Sequence, residues 1–335
     1  MNLNNIYFKK PSELNNFELI DCFSKFYPEK CKFLIKNWKW LYRTELFGHE
    51  PIIMMYEKSM IGFAGSISTN IVKENNIIRA KWFVDFVIED KKRNLGLGKI
   101  LTKKWMDNDF VCLTFCNNIS LKIFKGFGWT ESVPAYETRL ILNPVKFIKV
   151  LKRFNIDFFR HLFTSSKPIV DITPVKIKNN HNIIIELFNI HNLKKSNNKI
   201  YICRDEDWLD WRVFRSPLVG RYLLFEYKSS FLIIDFFFLN GIKRLSILFS
   251  SLNNECEKQI LLSNLLVWAG NNSIDAIWHV FMESNFLKKK IFQKTTKLNF
   301  IFFHKNIKSN QKFSDLQGLD GDNDLLFYNN YNIEN

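Results

Sequence analysis

The chain has 335 residues, a formal net charge of +15, and 47% hydrophobic and 16% aromatic residues. So large an apolar share excludes a globally disordered chain and supplies core material for two ordinary domains or one large one. The charge favours acidic ligands, but the lysines are spread among Asn, Ile and Phe rather than gathered into a stripe, so no specific nucleic-acid partner is expected.

The opening "MNLNNIYFKKPSELNN" reads as a strand, "NIYFKK", and then a helix running towards Tyr27 with Ser12 as its N-cap. It lacks the basic region, apolar stretch and small-residue cleavage site of a leader, and a cytoplasmic location is the expectation. Next come the aromatic-rich "NWKWLYRTELFG" and two strands, "EPIIMMYEK" and "MIGFAGSIST", joined by a tight hairpin at "KSM". "NNIIRAKWFVDFVIED" reads as two further apolar runs, the second ending at a glycine turn. Beyond that turn, Ile100, Leu101 and Trp105 have helical spacing. "FVCLTFC" is a predicted strand, "ISLKIFKGF" a short helix and "AYETRLIL" a closing strand.

From Pro144 to about Lys167 the pattern is an amphipathic helical connector, after which a strand-then-helix order restarts at "IVDITPVKIKNNHNIIIELFNIHN". The most apolar run, "FLIIDFFFLNG" from Phe231, is too short to span a bilayer and carries Asp235 in its middle, so no membrane span is expected. Cys22, Cys31, Cys112, Cys116, Cys203 and Cys256 do not form a zinc set, and buried reduced thiols with no metal are expected.

The two halves parallel each other. "WKWLYRTELFGHEPIIMMYEK" matches "LDWRVFRSPLVGRYLLFEYK", with Trp40 opposite Trp211 and Tyr56 opposite Tyr227, and "SLKIFKGFGW" matches "IWHVFMESNF". The second half has no partner for the glycine turn; "LSILFSSLNNECEK" stands in its place.

That turn, "EDKKRNLGLGKIL" at residues 89 to 101, is the informative stretch. A Walker loop fails because Gly98-Lys99 is followed by Ile100 and no glycine stands five residues before Gly98. A dinucleotide fingerprint fails because Leu101 occupies the third glycine position. Arg/Gln-x-x-Gly-x-Gly/Ala is satisfied by Arg93, Gly96 and Gly98. Glycines there leave room for a pyrophosphate against the backbone, and free amides at a helix start bind its charge.

"VDFVIEDKKRNLGLGKILTKKW" resembles the central strand, pyrophosphate loop and helix of the GNAT superfamily of acyl-CoA-dependent N-acyltransferases. "NNISLKIFKGFGW" resembles the family's later Asn-x-x-Ala-x-x-Leu-Tyr-x-x-x-Gly-Phe motif, through Asn117, Ser120, Ile123, Phe124, Gly128 and Trp129. The resemblance covers residues 1 to about 143, and the second half only as a degenerate copy. It implies an α/β (α+β) fold of two tandem GNAT-like domains, each a mixed, mostly antiparallel sheet flanked by helices. The expected division is 1–143 for acyl-CoA binding and catalysis, 144–168 as connector, and 169–335 for the degenerate domain.

The resemblance further implies acetyl-CoA as co-substrate. Backbone around Phe86, Val87 and Ile88 pairs with pantetheine and polarises the thioester; Arg93, Asn94, Leu95, Gly96, Leu97, Gly98 and Lys99 cradle the pyrophosphate; Asn117 lies in the second motif. Asp85, mid-strand before the loop, is equally a general base for the amine or a buried carboxylate ordering a neighbouring loop, with Glu89 as runner-up for the base. Many relatives keep a tyrosine at the Phe124 position to protonate the departing thiolate; a phenyl ring lacks that proton, and Tyr136 is the candidate replacement. The aromatic cluster with His49 reads as core before acceptor pocket. The acceptor implied is a small-molecule amine, for instance a nucleotide-linked amino sugar of surface-polysaccharide synthesis. Two competing readings are a Fem-type aminoacyltransferase using aminoacyl-tRNA, which would not need the Arg93/Gly96/Gly98 loop, and a non-catalytic CoA-binding module.

Overall fold

The computed structural model describes residues 3–132, 134–144, 170–193, 199–239, 241–281, 293–304, 313–317 and 320. Two compact units divide the chain, one of residues 1–132, 200–203 and 299–312, the other of residues 133–199, 204–298 and 313–335.

In the first unit, β1 (Ile6–Lys9), β2 (Ile52–Tyr56), β3 (Ser59–Lys73) and β4 (Asn76–Ile88) are successive antiparallel neighbours. β5 (Val111–Cys116) joins β4 in parallel, and Asn299–Phe303 then pair antiparallel with β5. β6 (Thr130–Glu131) pairs with the same late segment. The β3–β4 turn holds Glu74 and Asn75 at φ 51 and 64, and two consecutive left-handed residues suit a twisted hairpin. The two apolar runs expected over 75–90 are therefore one strand, interrupted by a bulge rather than by a turn.

Helix α1 (Asn16–Phe26) begins three residues later than Ser12 would have it. Asn15 accepts from the Glu18 N–H while the Glu18 carboxylate accepts from the Asn15 N–H, a reciprocal capping box that satisfies two amides where Ser12 would satisfy one. Ser12 instead lies in a short 3-10 turn after Pro11 and donates its N–H to Glu50 Oε2 at 3.0 Å. α2 (Cys31–Tyr42), α3 (Thr44–Phe47), α4 (Leu97–Met106) and α5 (Asn118–Lys125) complete the unit. Leu97, Leu101 and Trp105 of α4 bury against Phe83, Cys112 and Ile301 on one sheet face. On the other, Phe63 meets the rings of Phe23, Tyr27 and Tyr42.

The second unit runs, in sheet order, β8 (Val175–Lys176), β10 (Leu223–Tyr227), β11 (Ser230–Leu239), β12 (Ile242–Ser251), β13 (Ala276–Phe281), β7 (Ala135–Ile141) and the Gln293–Leu298 part of β14 (Gln293–Phe303). Only the β12–β13 pair among these is parallel. β9 (Tyr201–Ile202) belongs to the first unit, on the far end of β3. The helices of the second unit are α6 (His181–Leu193), α7 (Glu206–Leu209) with a π-helical turn over Asp210–Phe214, and α8 (Glu255–Asn271). Leu261 and Leu265 of α8 bury against Leu245, Ile247 and Ile277.

Each unit thus repeats one order: four antiparallel strands, a helix, and a fifth strand parallel to the fourth. Tyr56 and Tyr227 end equivalent strands, each before a tight turn opened by a left-handed residue, Glu57 (φ 53) or Lys228 (φ 55). The match of "SLKIFKGFGW" with "IWHVFMESNF" does not survive, since the first is helix α5 and the start of the second is strand β13. The Pro144–Lys167 connector helix lies almost wholly outside the described residues. β7 groups with the second unit, and Asn299–Phe303 take the place beside β5 in the first. Among the described residues no helix is long and apolar enough to cross a membrane. Cys22 and Cys112 are buried thiols as expected, whereas Cys256 is exposed.

Candidate functional site

β4 and β5 pair only over Ala80–Trp82 and Val111–Leu113. Beyond Trp82 they separate: Cys112 to Cys116 pair with Asn299–Phe303, and the Thr114 hydroxyl reaches back to the Phe83 carbonyl at 2.9 Å. The β5-facing edge of Val84–Ile88 consequently has no strand partner among the described residues. Backbone donors and acceptors left open inside a protein require a partner, and an extended ligand can supply one.

The opening is framed by a bulge. Ala64 stands opposite Phe86 and Gly65 opposite Val84, so Asp85 is the extra residue, in the left-handed region at φ 48. A Cβ on Gly65 would come within 2.8 Å of the Val84 carbonyl and 2.9 Å of the Tyr42 ring, so only glycine fits. Helices α1 and α2 pin the bulge from the other side. Lys30 Nζ lies 3.2 Å from Asp85 Oδ1, Tyr42 donates to Asp85 Oδ2 at 3.0 Å, and the Tyr27 hydroxyl donates to the Asp85 carbonyl. The Asp85 side chain is only 6% exposed.

The glycine turn follows directly. Asp90–Lys92 form a 3-10 turn, then Asn94 (φ 66) and Gly96 (φ 78) go left-handed and α4 starts at Leu97 without a side-chain cap. The N–H groups of Leu97 and Gly98 meet no acceptor among the described residues. An uncapped helix start carries free donors and a partial positive charge. Gly98 sits against the bulged strand, a Cβ there coming 3.7 Å from the Phe86 ring. Arg93 is paired with Asp90 at 2.7 Å on the surface. Leu97 is buried and anchors the helix, while Leu95 and Lys99 are exposed. The structure therefore brings Phe86–Ile88 and Arg93–Lys99 together around one opening.

Asn117, at the end of β5, accepts from the Ile119 and Ser120 N–H groups at 3.0 and 2.9 Å and so caps α5. Phe124 is a core residue, 5.5 Å from the Phe83 ring and 4.7 Å from Trp129. Tyr136 belongs to the second unit, half-buried on β7 opposite Phe281 and Lys297, and the first unit's opening is built without it. Glu89 pairs with Lys25 at 3.2 Å. Sequence reasoning missed Tyr27, Lys30 and Tyr42, whose relation to Asp85 exists only once the helices pack. It also missed Lys81, for which a charged residue between buried Ala80 and Trp82 was the available signal.

A sheet that splays behind a bulged fourth strand, with an uncapped helix at the mouth, is the arrangement that the family resemblance implied for the fold. Solved structures bear this out. Those similar to the chain include a GCN5-related N-acetyltransferase from Kribbella flavida, with a TM-score of 0.57 and 7% identity over 90% of this chain and 72% of that one. Saccharomyces cerevisiae N-myristoyltransferase with bound myristoyl-CoA gives 0.59 and 12% identity, over 93% and 86% of the two chains. A GCN5-related N-acetyltransferase from Anabaena variabilis gives 0.56 and 11%, over 89% and 72%. No family model and no curated protein matches the sequence. At these identities the likeness is one of fold.

Proposed function

We propose that the chain is an acyl-CoA-dependent N-acyltransferase that moves an acetyl group to the primary amine of a small molecule, a nucleotide-linked amino sugar of surface-polysaccharide synthesis being the acceptor class we favour. The observation that carries this reading is the open edge of Val84–Ile88 lying beside the uncapped start of α4. Pantetheine, an extended chain of amides, suits the first, and pyrophosphate suits the second. The basic balance of the chain suits acidic substrates. Acyl-CoA is made in the cytoplasm, which is where we place the reaction.

In this reading the amine nitrogen attacks the thioester carbonyl directly, forming the C–N bond as the C–S bond breaks, and positioning supplies most of the rate. Backbone N–H groups of the bulged strand polarise the carbonyl oxygen. The proton lost by the amine ends, directly or through water, on the departing thiolate, since Phe124 has no proton to give. Asp85 is already held by Lys30 and Tyr42, which supports an orienting role for it over that of a free base.

Titration calorimetry with acetyl-CoA, followed by thiol release across a panel of amines, tests the reading. Micromolar binding with turnover on an amino sugar is the expected result; no acetyl-CoA binding, with salt-sensitive tRNA binding instead, would overturn it. In Asp85→Asn, weaker acetyl-CoA binding identifies an orienting residue. Unchanged binding with lost turnover identifies the base.

A further inference from the structure

Lys81 lies on β4 with none of its surface exposed. Its ammonium donates to the Trp105 carbonyl in the last turn of α4, lies 3.2 Å from His49 Nε2, and stands 3.8 Å from the centre of the Trp105 ring. Trp105 in turn donates its indole N–H to the Gly65 carbonyl at 3.0 Å, at the residue where β3 slips against the bulge. Its ring meets Phe83 edge-on at 4.5 Å, and Phe83 neighbours Phe86 at 5.1 Å. One side chain therefore ties the last turn of α4 to the bulge that opens the β4 edge, while the first turn of the same helix forms the mouth of the opening.

This arrangement costs stability. Among the described residues no carboxylate comes within ion-pairing distance of Lys81, and burial lowers its pKa from 10.5 to about 8. The groups facing it are His49, which burial and Lys81 together push down to about 4, and the Cys112 thiol on β5, which burial pushes up to about 12. Asp107, just past α4, acts on Lys81 from a distance, and Lys10 acts on His49. A methionine of similar length would relieve the burial of charge, and Asn108 Nδ2, at 3.3 Å, would still serve the Trp105 carbonyl. A fold that keeps a charge it would be steadier without keeps it for what the charge holds in place.

We propose that Lys81 is a positioning residue for the acyl-CoA site, its ammonium holding Trp105 and, through Trp105, both α4 and the Gly65–Asp85 bulge in the arrangement that binds the coenzyme. The proposal rests on the acyl-CoA reading above and adds to it a residue that touches neither substrate.

The test is acetyl-CoA affinity between about pH 7 and about 9.5, where the thioester has no titrating group and His49 and Cys112 titrate outside the window. Wild-type affinity is expected to fall as pH rises through about 8, where Lys81 loses its charge. Loss of a stabilising Lys81 charge does not explain such a fall: above about pH 8 the unfolded lysine stays charged while the buried one does not, so the contribution of Lys81 to stability rises up to about 10.5. Lys81→Met is expected to bind acetyl-CoA about tenfold more weakly at pH 7, with a flat pH profile and a melting temperature no lower than wild type. A flat wild-type profile overturns the proposal without any variant, as does a folded Lys81→Met with wild-type affinity and profile. If Lys81→Met fails to fold, Trp105→Phe, which removes the indole N–H, decides the matter. Reduced affinity in it supports the relay, and unchanged affinity overturns it. Absence of acetyl-CoA binding by the wild type at every pH would bring down the coenzyme reading, and this proposal with it.

Discussion

Helices α4 and α8 hold the same place in the two units, each between a fourth strand and the parallel fifth, yet they begin in opposite ways. α4 starts after left-handed Gly96 with no side-chain cap and no acid in its first turn. α8 starts after Asn254, whose side chain accepts from the Glu257 N–H at 2.8 Å, and carries Glu255 and Glu257 in its first turn. The first helix end is free to bind an anion; the second satisfies itself and would repel one. Both fourth strands also have a register shift near their ends, β4 at Asp85 and β12 between Ile247 and Phe249. In the first unit that shift borders an open edge, whereas in the second the chain's own late segment lies on the strand, Gln317 Nε2 donating to the Ser250 carbonyl at 3.1 Å. The proposed reading has one order of elements repeated and ligand binding kept in the first unit, which is physically open to a chain because topology and the chemistry of a helix start are set by different residues.

The largest expected effect lies in the second unit. Arg204 is completely buried and holds two carboxylates, Asp315 through Nη1 at 2.6 Å and Asp320 through Nε and Nη2 at 2.8 and 2.6 Å, with its guanidinium 4.9 Å from the Phe249 ring. Arg204→Met removes the counter-charge of buried Asp320 and leaves Asp315 to His191, 2.7 Å away, which should cost about 3–5 kcal/mol in urea unfolding. Acetyl-CoA affinity, measured below the unfolding transition, should stay at the wild-type value. A matching loss of affinity would break the assignment of the coenzyme to the first unit.

Acid should weaken both units through buried histidines. Burial pushes His49 of the first unit to about 4 and His279 of the second to about 3, from an ordinary 6.5. Both are neutral in the fold, so their contributions are intact above pH 6.5 and are lost as pH falls, because the unfolded chain takes up protons that the fold refuses. His49→Gln should remove one proton's worth of slope, about 1.4 kcal/mol per pH unit, from the stability profile between 6.5 and about 4. An unaltered slope would show that His49 takes up its proton as readily in the fold as in the unfolded chain. Next in size is Gly98→Trp, which places an indole where a Cβ is already 3.7 Å from Phe86. It should weaken acetyl-CoA binding about 100-fold, just under ~3 kcal/mol, with little change in melting temperature. Unchanged binding would remove the glycine turn from the site.

The parts of this molecule legible in its sequence are those coded locally. "RNLGLG" carries its own backbone conformations, apolar runs mark the strands, and "KSM" between two such runs marks a hairpin, which turns at Glu57 and Lys58. Ser12 was the wrong cap because the reciprocal pair Asn15 and Glu18 lies three residues further on and satisfies more backbone. Long-range pairings were hidden. That Asn299–Phe303, far from "FVCLTFC" in the chain, lie beside it depends on which sheet edge remains open, and no local pattern states that. The role of Asp85 was undecidable for the same reason, since Lys30 and Tyr42, its partners, lie on a helix's flank and end more than 40 positions away.

The smallest expected effect bears most directly on the comparison. Asn117 and Asn254 both cap helices, α5 in the first unit and α8 in the second, and replacing either by alanine should cost about 1 kcal/mol of stability. If capping were all that either did, the two variants would behave alike in every assay. The resemblance of Asn117 to the second family motif predicts a difference: Asn117→Ala should also weaken acetyl-CoA binding severalfold, and Asn254→Ala should leave it unchanged. Calorimetry on the pair, each corrected for its own melting temperature, separates the cases. Equal, unaltered affinities would reduce Asn117 to a cap and confine the coenzyme contacts to the bulged strand and the glycine turn. A loss in Asn254→Ala would mean that the start of α8, self-satisfied as it is, still takes part in binding.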